Sequence, residues 1–190
     1  LQAGRPARTV PVPADAPDAM RNLFPLTGKP VLFVANVDEG DEEVPAAVAE
    51  HAAAQGAVAV AISSRLEAEL GELDEEEAVA LREELGAAES GLQRVVGGAF
   101  ALLDLIAFFT AGEAKPAQSW HLRRGLTAWH AAGEVHSDIQ RGFVRAEVVG
   151  WEELVAAGGY AGARERGTLR LEGRDYVMVD GDVITVKFTP

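Results

Sequence analysis

An amide and two acids follow an apolar run near residue 36, and these residue types suit the binding of a small polar molecule. Residues 30–35 are almost all apolar, and Asn36-Val37-Asp38-Glu39 comes directly after them. Such a run predicts a strand buried on both faces, typical of a parallel sheet in an α/β fold. The carboxyl end of such a strand is where these folds bind ligands. The spacing alone, however, equally fits a strand-ending turn without a ligand.

A second apolar run ends on two serines. Residues 57–62 predict another buried strand, and Ser63-Ser64 follows it. If the two strands are parallel neighbours, the serines lie at the same edge of the sheet as Asn36 and could contact the same ligand. The alternative is that one serine is the N-cap of the next helix. Both roles can coexist because they use different atoms.

The elements that position these residues form a βαβ unit. Strands are predicted at residues 31–36 and 57–62, and the helix between them is predicted to open at Asp41-Glu42-Glu43-Val44-Pro45. An acidic helical stretch covers residues 65–85, for which a solvated face is the favoured interpretation. A periodic helix follows, whose apolar stripe is expected to pack on the sheet. That stripe consists of Leu92, Val95, Val96, Ala99, Phe100, Leu103 and Ile106.

The pattern changes to short strands and turns after residue 110. Alternation predicts strands at residues 119–123 and 143–148, and a helix is predicted at 151–155. Residues 169–173 and 176–179 predict a hairpin-like pair, and residues 183–188 a last strand. At the other end of the chain, residues 1–29 contain five prolines and predict a connecting arm.

Composition and charge exclude several classes of protein. The 190 residues allow one medium domain or two small ones, and the absence of cysteine excludes disulfides and thiolate metal sites. No apolar run reaches about 18 residues, so no membrane span is predicted. Residues 36–90 hold 16 acids against 2 bases, whereas residues 106–190 hold 11 against 10. This contrast indicates two domains, and any contact with RNA has to be local.

The histidines predict neither a metal site nor a catalytic site. His51, His121, His130 and His136 are not spaced as metal ligands with a carboxylate partner. His136, Ser137 and Asp138 are adjacent and cannot converge as a triad. The sequence therefore predicts no metal held by this chain and no catalytic residue in it.

Several segments resemble the motifs of one known family. They are Leu26-Thr27-Gly28-Lys29-Pro30 through Asn36-Val37-Asp38-Glu39, Glu89-Ser90-Gly91-Leu92, Phe108-Phe109-Thr110-Ala111-Gly112-Glu113, residues 131–138, residues 141–147 and Leu171-Glu172-Gly173-Arg174-Asp175-Tyr176. On these residues the chain resembles the YchF family of Obg-related P-loop ATPases of the translation-factor class. The resemblance implies an α/β fold: residues 30–106 are the second half of a G-domain-like parallel sheet with flanking helices, and residues 107–190 are a β-grasp (TGS) domain. Residues 1–29 would be an arm from the end of a helical insertion.

The resemblance also implies a nucleotide site. Asn36 would face the N7 atom of the base, Val37 would line it, and Ser63 and Ser64 would complete the base site. Glu39 stands where related GTPases carry a guanine-binding aspartate, and its extra methylene would crowd guanine. The family prefers ATP, with GTP and GDP weaker. No G-x-x-x-x-G-K-[ST] occurs in this chain, so the phosphate cradle and the ligands of Mg²⁺ are expected outside it, and these residues alone would not hydrolyse ATP.

The partners implied by the resemblance are ribosomes or ribosomal RNA. The location would be cytoplasmic, without membrane contact, and the protein is expected to be a monomer. Four arginines would form a local phosphate-contacting patch, although ordinary surface ion pairing is the alternative. They are Arg123, Arg124, Arg141 and Arg145. The alternative function is a non-catalytic ribosome or RNA interaction module built on the TGS domain.

Overall fold

The computed structural model describes residues 4–12, 14–16, 18–41, 43–85, 89–112 and 115–189. The chain divides into two compact units, Leu1–Leu103 and Asp104–Pro190. The sequence predicts this division after residue 106. Asp104, whose φ is 53°, lies between the end of a helix and the start of the following strand. None of the helices in the described ranges is long and apolar enough to cross a lipid bilayer.

The described part of the first unit contains a pair of parallel strands and flanking helices. The elements are α1 (Ala19–Leu23), β1 (Leu32–Asn36), α2 (Ala46–Ala54), β2 (Val58–Ile62), α3 (Ser64–Leu70), α4 (Glu75–Glu84) and α5 (Gly91–Leu102), with 3₁₀ turns at Ala7–Thr9 and Leu26–Gly28. Leu32 pairs with Val58 and Asn36 with Ile62, so the two strands end side by side. The predicted parallel arrangement is therefore confirmed. Among the described residues no third strand joins this sheet.

The helices of the first unit begin and end at residues with defined local chemistry. Pro45 is the N-cap of α2, so Asp41 and Glu43 precede the helix. The sequence instead predicted the acids in its first turn. Proline suits this position because it has no N–H to satisfy. Gly56 follows α2 with a φ of +61°, a conformation that glycine adopts without strain. Asp74 caps α4, where its carboxylate accepts the Glu77 N–H at 3.0 Å.

Helix α5 approaches the strands through a glycine. A Cβ atom on Gly98 would lie 3.1 Å from Val60 Cγ1 and 3.2 Å from Leu32 Cδ1. In contrast, Leu92 is 68% exposed and Val96 is 47% exposed. The expectation that the whole apolar stripe packs on the sheet is therefore wrong. Because Gly98 has no side chain, the backbone of α5 lies closer to the strands at this position.

The second unit is a mixed five-stranded sheet in the order β4-β3-β7-β5-β6 with helices on its faces. Its elements are β3 (Leu105–Gly112), β4 (Lys115–Arg123), α6 (Ala128–Val135), α7 (Ser137–Arg141), β5 (Phe143–Gly150), α8 (Trp151–Ala156), α9 (Tyr160–Glu165), β6 (Arg170–Glu172) and β7 (Asp182–Phe188). The central strand β7 runs parallel to β3 and antiparallel to β5. The start of β3 was not predicted, because Ile106 continues the apolar period of the preceding helix.

Two apolar clusters lie in the second unit. The larger cluster includes residues from β3, β4, β5, β7 and α6, namely Ile106, Phe108, Leu122, Ala128, Ala131, Ala132, Phe143, Ala146, Val148 and Ile184. The smaller cluster consists of Val149, Ala163 and Val183, with Leu154, Ala157 and Tyr160 packed against it. Helices α8 and α9 thus pack against strand residues that alternate with those of the larger core.

Residues 176–179 do not form a hairpin with residues 169–173, contrary to the prediction. Strand β6 pairs with β5 instead. Within the described residues, the 176–179 segment makes one isolated bridge, between Val177 and Thr127. Its path is therefore fixed by contacts other than a strand ladder.

Asp182 provides those contacts. Its side chain is 5% exposed, and its Oδ2 atom accepts the Val179 N–H at 2.9 Å and the Tyr176 hydroxyl at 3.0 Å. Arg170 lies 3.7 Å from its other oxygen. Burial, reinforced by the Asp182 carboxylate, raises the pKa of Tyr176. A buried carboxylate is stable here because several donors surround it.

Candidate functional site

The carboxyl ends of β1 and β2 are joined by the Asn36 side chain. Its Oδ1 atom accepts the Ser64 N–H at 3.0 Å and also the Ser64 hydroxyl. One residue further, the Val37 N–H donates to the Ile62 carbonyl at 2.9 Å. Because Ser64 follows the exit of β2, these bonds fix the two exits side by side. The structure thus brings the predicted amide and the predicted serine pair together.

The orientation of the Asn36 amide leaves its donor end for other contacts. The oxygen faces Ser64, and this orientation is assigned from the two donors that it accepts. The amide nitrogen therefore points away from Ser64, and it carries two N–H donors. Such a group can donate to a ring nitrogen with a lone pair, such as the N7 atom of a purine.

The two serines have different roles. Ser63 is the N-cap of α3, and its hydroxyl oxygen accepts the Leu66 N–H at 3.4 Å. Ser64 uses both its N–H and its hydroxyl on Asn36. The Ser64 N–H thus has an acceptor within the chain, and the contact of the serine pair with a base stays a prediction. Ser64 acts on the site by holding Asn36.

Glu39 lies in the turn after β1 and faces the start of α3. Its carboxylate is 3.8 Å from Arg65 Nη2, and Arg65 Nε also bonds Glu69 at 3.1 Å. These carboxylates, Glu69 first and then Glu39, raise the pKa of Arg65. Arg65 was not predicted to take part in the site, although its spacing from Glu69 is the usual one for an ion pair on a helix. Arg65 therefore joins Glu39 to the element that begins with the serines.

The site is an open corner of the first unit and not an enclosed pocket. A cavity of about 40 Å³ lies next to Ser63 and is lined by residues that include Gly40, Glu67 and Gly91, but not by Asn36, Glu39 or Ser64. Small-molecule pockets usually measure roughly 300–1,000 Å³. This cavity holds about one water molecule. A nucleotide base would therefore contact the outer surface of this corner.

Two of the four predicted RNA-contacting arginines already have acidic partners. Arg124 Nε lies 3.3 Å from Asp104 Oδ1. Arg141 pairs with Asp138 one helical turn earlier. These pairs are exposed, and they match the alternative of ordinary surface pairing.

The other two arginines lie far apart on the sheet. Arg123 ends the edge strand β4 opposite Leu105, the first residue of β3, whereas Arg145 lies in β5 opposite Lys187, near the end of β7. Strands β3 and β7 separate β4 from β5, a distance of about 14 Å across the sheet. Since β3 and β7 are parallel, the two arginines also lie toward opposite strand ends. The predicted single patch of four arginines is therefore not formed.

Among the described residues, no three or more histidine, aspartate or glutamate side chains are arranged so that they could hold a metal ion. His136 is the N-cap of α7, and its Nδ1 atom accepts the Asp138 N–H at 3.1 Å. His51 lies 2.6 Å from Gln55 through Nε2. His136 therefore has a structural role as a helix cap, and His51 contacts a neighbouring side chain on the surface of α2.

Comparisons with known proteins place this geometry in a family. The family model described as "YchF-GTPase_C: Protein of unknown function (DUF933)" matches residues 105–189. A relative from Bacillus subtilis (strain 168), named "Ribosome-binding ATPase YchF", is 42% identical over 99% of this chain and 53% of its own length. The protein of the same name from Haemophilus influenzae is 42% identical over 95% of the chain and 50% of its length. The chain therefore spans about half the length of the curated relatives it matches.

A solved structure, the YchF GTPase of Schizosaccharomyces pombe, matches 98% of this chain and 50% of its own chain, with a TM-score of 0.77 at 26% identity. This match spans both units, so the parallel strand pair and the mixed sheet define the carboxyl-terminal part of a YchF-type GTPase fold. The chain belongs to the YchF family, as its motifs indicated.

Proposed function

We propose that this chain supplies the base-recognition part of a nucleotide site in a cytoplasmic, ribosome-associated YchF protein that hydrolyses ATP in preference to GTP. The observation that carries the proposal is the corner built by Asn36, which accepts two hydrogen bonds from Ser64 and leaves its amide donors outward. Two relatives are named ribosome-binding ATPases, which supports the activity and the partner.

The base preference rests on Glu39. An amide donor to N7 does not discriminate, because adenine and guanine both carry that acceptor. A guanine-binding acid has to accept from the guanine N1–H and the exocyclic amine. Glu39 is longer than aspartate, and Arg65 lies 3.8 Å from its carboxylate on the α3 side. Both features disfavour the contact with guanine. They do not weaken the binding of adenine, because adenine does not present the N1–H and 2-amino donors that this acid would accept.

The phosphates and Mg²⁺ require residues other than these. The described residues hold no metal-ligating cluster, and the chain contains no P-loop sequence. We assign neither group to this chain and derive no step of hydrolysis from it. The second unit is proposed to be the TGS domain of the family, with a β-grasp arrangement of its five strands, and the protein is proposed to be monomeric.

The test is a comparison of ATP and GTP in a chimaera that joins the amino-terminal half of the B. subtilis relative to residues 1–190. Isothermal calorimetry is expected to give tighter binding of ATP than of GTP. The Glu39→Asp variant is expected to narrow that difference by improving the affinity for GTP. Equal affinities for the two nucleotides in the unmodified chimaera would contradict the proposed preference.

A matched control separates base selection by Glu39 from the general effect of shortening an acidic side chain in this unit. Glu50 lies exposed on α2, away from both strand exits. The Glu50→Asp variant shortens an acid in the same unit and is expected to leave both affinities unchanged. If Glu39→Asp behaves like this control, Glu39 does not select the base.

A second candidate function is a ribosome-interaction module that acts without nucleotide. It is favoured by the compact second unit, since the family model matches residues 105–189 within it. In that case the chain 1–190 would co-sediment with ribosomes in nucleotide-free buffer, and Asn36→Ala would not change the bound fraction. Loss of ribosome binding in that variant would instead require the first unit in the interaction.

A further inference from the structure

One end of the second sheet carries a basic surface, formed by Arg145, Arg164 and Lys187. In β5, Ala146 and Val148 are buried in the larger core, so Glu147 belongs to the opposite face. Arg145 and Lys187 pair in register at the end of this face. Arg164 reaches the same place from the last turn of α9.

Two of the three cations on this surface share one carboxylate. Glu147 lies 3.0 Å from Lys187 Nζ and 3.3 Å from Arg164 Nη2. These contacts, the Lys187 hydrogen bond first, lower the pKa of Glu147 despite partial burial. Arg145 makes no ion pair with any described residue. The surface therefore keeps a surplus of positive charge in a chain whose formal net charge is −13.

The register of Arg145 and Lys187 has an energetic cost. Like charges directly opposite each other on neighbouring strands repel, and Glu147 offsets this repulsion at Lys187 but forms no ion pair with Arg145. No acid compensates Arg145 within the described part of the sheet. An anionic partner that neutralises both side chains would remove this repulsion, so the arrangement favours binding of an anion.

A hollow next to these cations has apolar walls. Its volume is about 470 Å³, and it is lined by Val144, Arg145, Glu147, Leu171, Lys187 and Phe188. Phe188 is 44% exposed and Leu171 is 57% exposed. The surface thus offers cations that can contact an anionic backbone. It also offers an aromatic ring and aliphatic side chains that can contact flat, apolar rings of the same ligand.

We infer that this basic surface binds a single-stranded RNA segment, with Arg145, Lys187 and Arg164 on the phosphates and Phe188 against a base. The inference rests on the proposed ribosome association and names the surface for it. Proteins that bind single strands combine a basic groove with aromatic side chains on which bases stack. An acidic peptide fits less well, because it would add to a free strand edge, whereas this hollow lies at the end of the paired strands β5 and β7, beside a β6 of only three residues.

The experiment measures the chain 1–190 against a fluorescent single-stranded RNA of about 12 nucleotides across a salt series, and against purified ribosomes. Each lost phosphate contact is expected to reduce the slope of log K against log salt by about 0.7 for a single strand. The Arg145→Ala/Lys187→Ala variant is therefore expected to lower the slope by about 1.4. Phe188→Ala is expected to weaken binding about tenfold without changing the slope, since stacking carries no counterion release.

Arg124→Ala provides the matched control, because it removes a surface arginine of the same unit that already pairs with Asp104. Its slope and affinity are expected to equal those of the unchanged chain. Thermal unfolding checks that the variants fold, and Arg145→Gln/Lys187→Gln repeats the test if the alanine variant does not.

The outcomes separate this inference from the proposed function. If the unchanged chain fails to bind ribosomes, the ribosome association itself is refuted. If it binds ribosomes and RNA, but the double variant and the Arg124→Ala control behave alike, the basic surface is not the RNA site. Weakened binding of ribosomes combined with unchanged binding of RNA would show an anionic protein as the partner and overturn the choice of RNA.

Discussion

Substitution of Asn36 separates its structural role from its role toward a ligand. Asn36→Ala removes the acceptor of two hydrogen bonds from Ser64, as well as the outward amide donors. Asn36→Asp keeps an oxygen that accepts from Ser64 but removes the amide donors. The two variants therefore share the loss of the donors and differ in the link between the strand exits.

The magnitudes follow from the bonds that each variant loses. The two bonds to Ser64 are exposed, so each contributes about 0.5 kcal/mol, the low end for a protein hydrogen bond. Asn36→Ala should then reduce the free energy of unfolding of the first unit by about 1 kcal/mol, or roughly 4–8 °C in its melting temperature. Asn36→Asp should remain within about 0.5 kcal/mol of the unchanged chain because its carboxylate accepts the same donors.

The effect on nucleotide affinity should be similar in both variants. Loss of one donor to N7 is worth about 1 kcal/mol, which is roughly a fivefold weaker affinity. ATP and GTP should be affected alike because both purines carry N7. Calorimetric titration of the chimaera measures the affinities, and circular dichroism of residues 1–190 measures the melting. An Asn36→Asp variant with unchanged affinity for both nucleotides would refute the assignment of the amide donors to the base.

Three further predictions concern stability, each measured by thermal or urea unfolding of the chain. Asp182→Ala should cost about 2–4 kcal/mol, because the Tyr176 hydroxyl and a backbone N–H lose their buried acceptor; a cost under 1 kcal/mol would contradict that role. Gly98→Ala should be at least about 1 kcal/mol less stable than its control Gly97→Ala, since a Cβ at 97 meets nothing within 4 Å. The pKa of Glu147 is lowered, so its contribution is present above its unfolded pKa and is lost as pH falls through the folded value. Glu147→Gln should therefore cost up to about 1 kcal/mol at pH 7 and progressively less as the pH falls through the folded pKa of Glu147, and a cost that does not change with pH would exclude the ionic origin.

The sequence predicted the site corner well because its elements have strong local signals. Two continuous apolar runs fixed both strands, and the polar residues that end them had to meet at one edge of a parallel pair. The link between Asn36 and Ser64 followed from that geometry. The use of the Ser64 N–H by Asn36 was not predictable, because sequence does not show which of several acceptors a donor chooses.

The errors arose where local pattern and tertiary contact disagree. Residues 176–179 alternate like a strand, but the buried Asp182 binds the backbone of this segment and its tyrosine hydroxyl. Leu92 continues the apolar period of α5, yet Gly98 faces the strands. A buried polar partner determines the path of residues 176–179, and a close backbone approach determines the packing of α5. The spacing of apolar residues in the sequence shows neither of these contacts.

The distribution of arginines shows the same limit at longer range. Arg123 and Arg145 are both near strand ends in the sequence, but the strand order places them toward opposite corners of the sheet. Lys187, distant in sequence, is the direct neighbour of Arg145. Only the register of the sheet shows which cations act together.

The central position of β7 determines when the second unit can fold. Phe109 in β3 pairs with Val183 in β7, so the strand that completes the sheet is synthesised long after the strand it joins. Contacts between such distant positions slow folding, since the loop must close before the pairing stabilises it. Until β7 leaves the ribosome, the inner edges of β3 and β5 have no partner and are open to wrong strand pairing. A protein proposed to associate with ribosomes would thus complete its own second unit only after β7 has been synthesised.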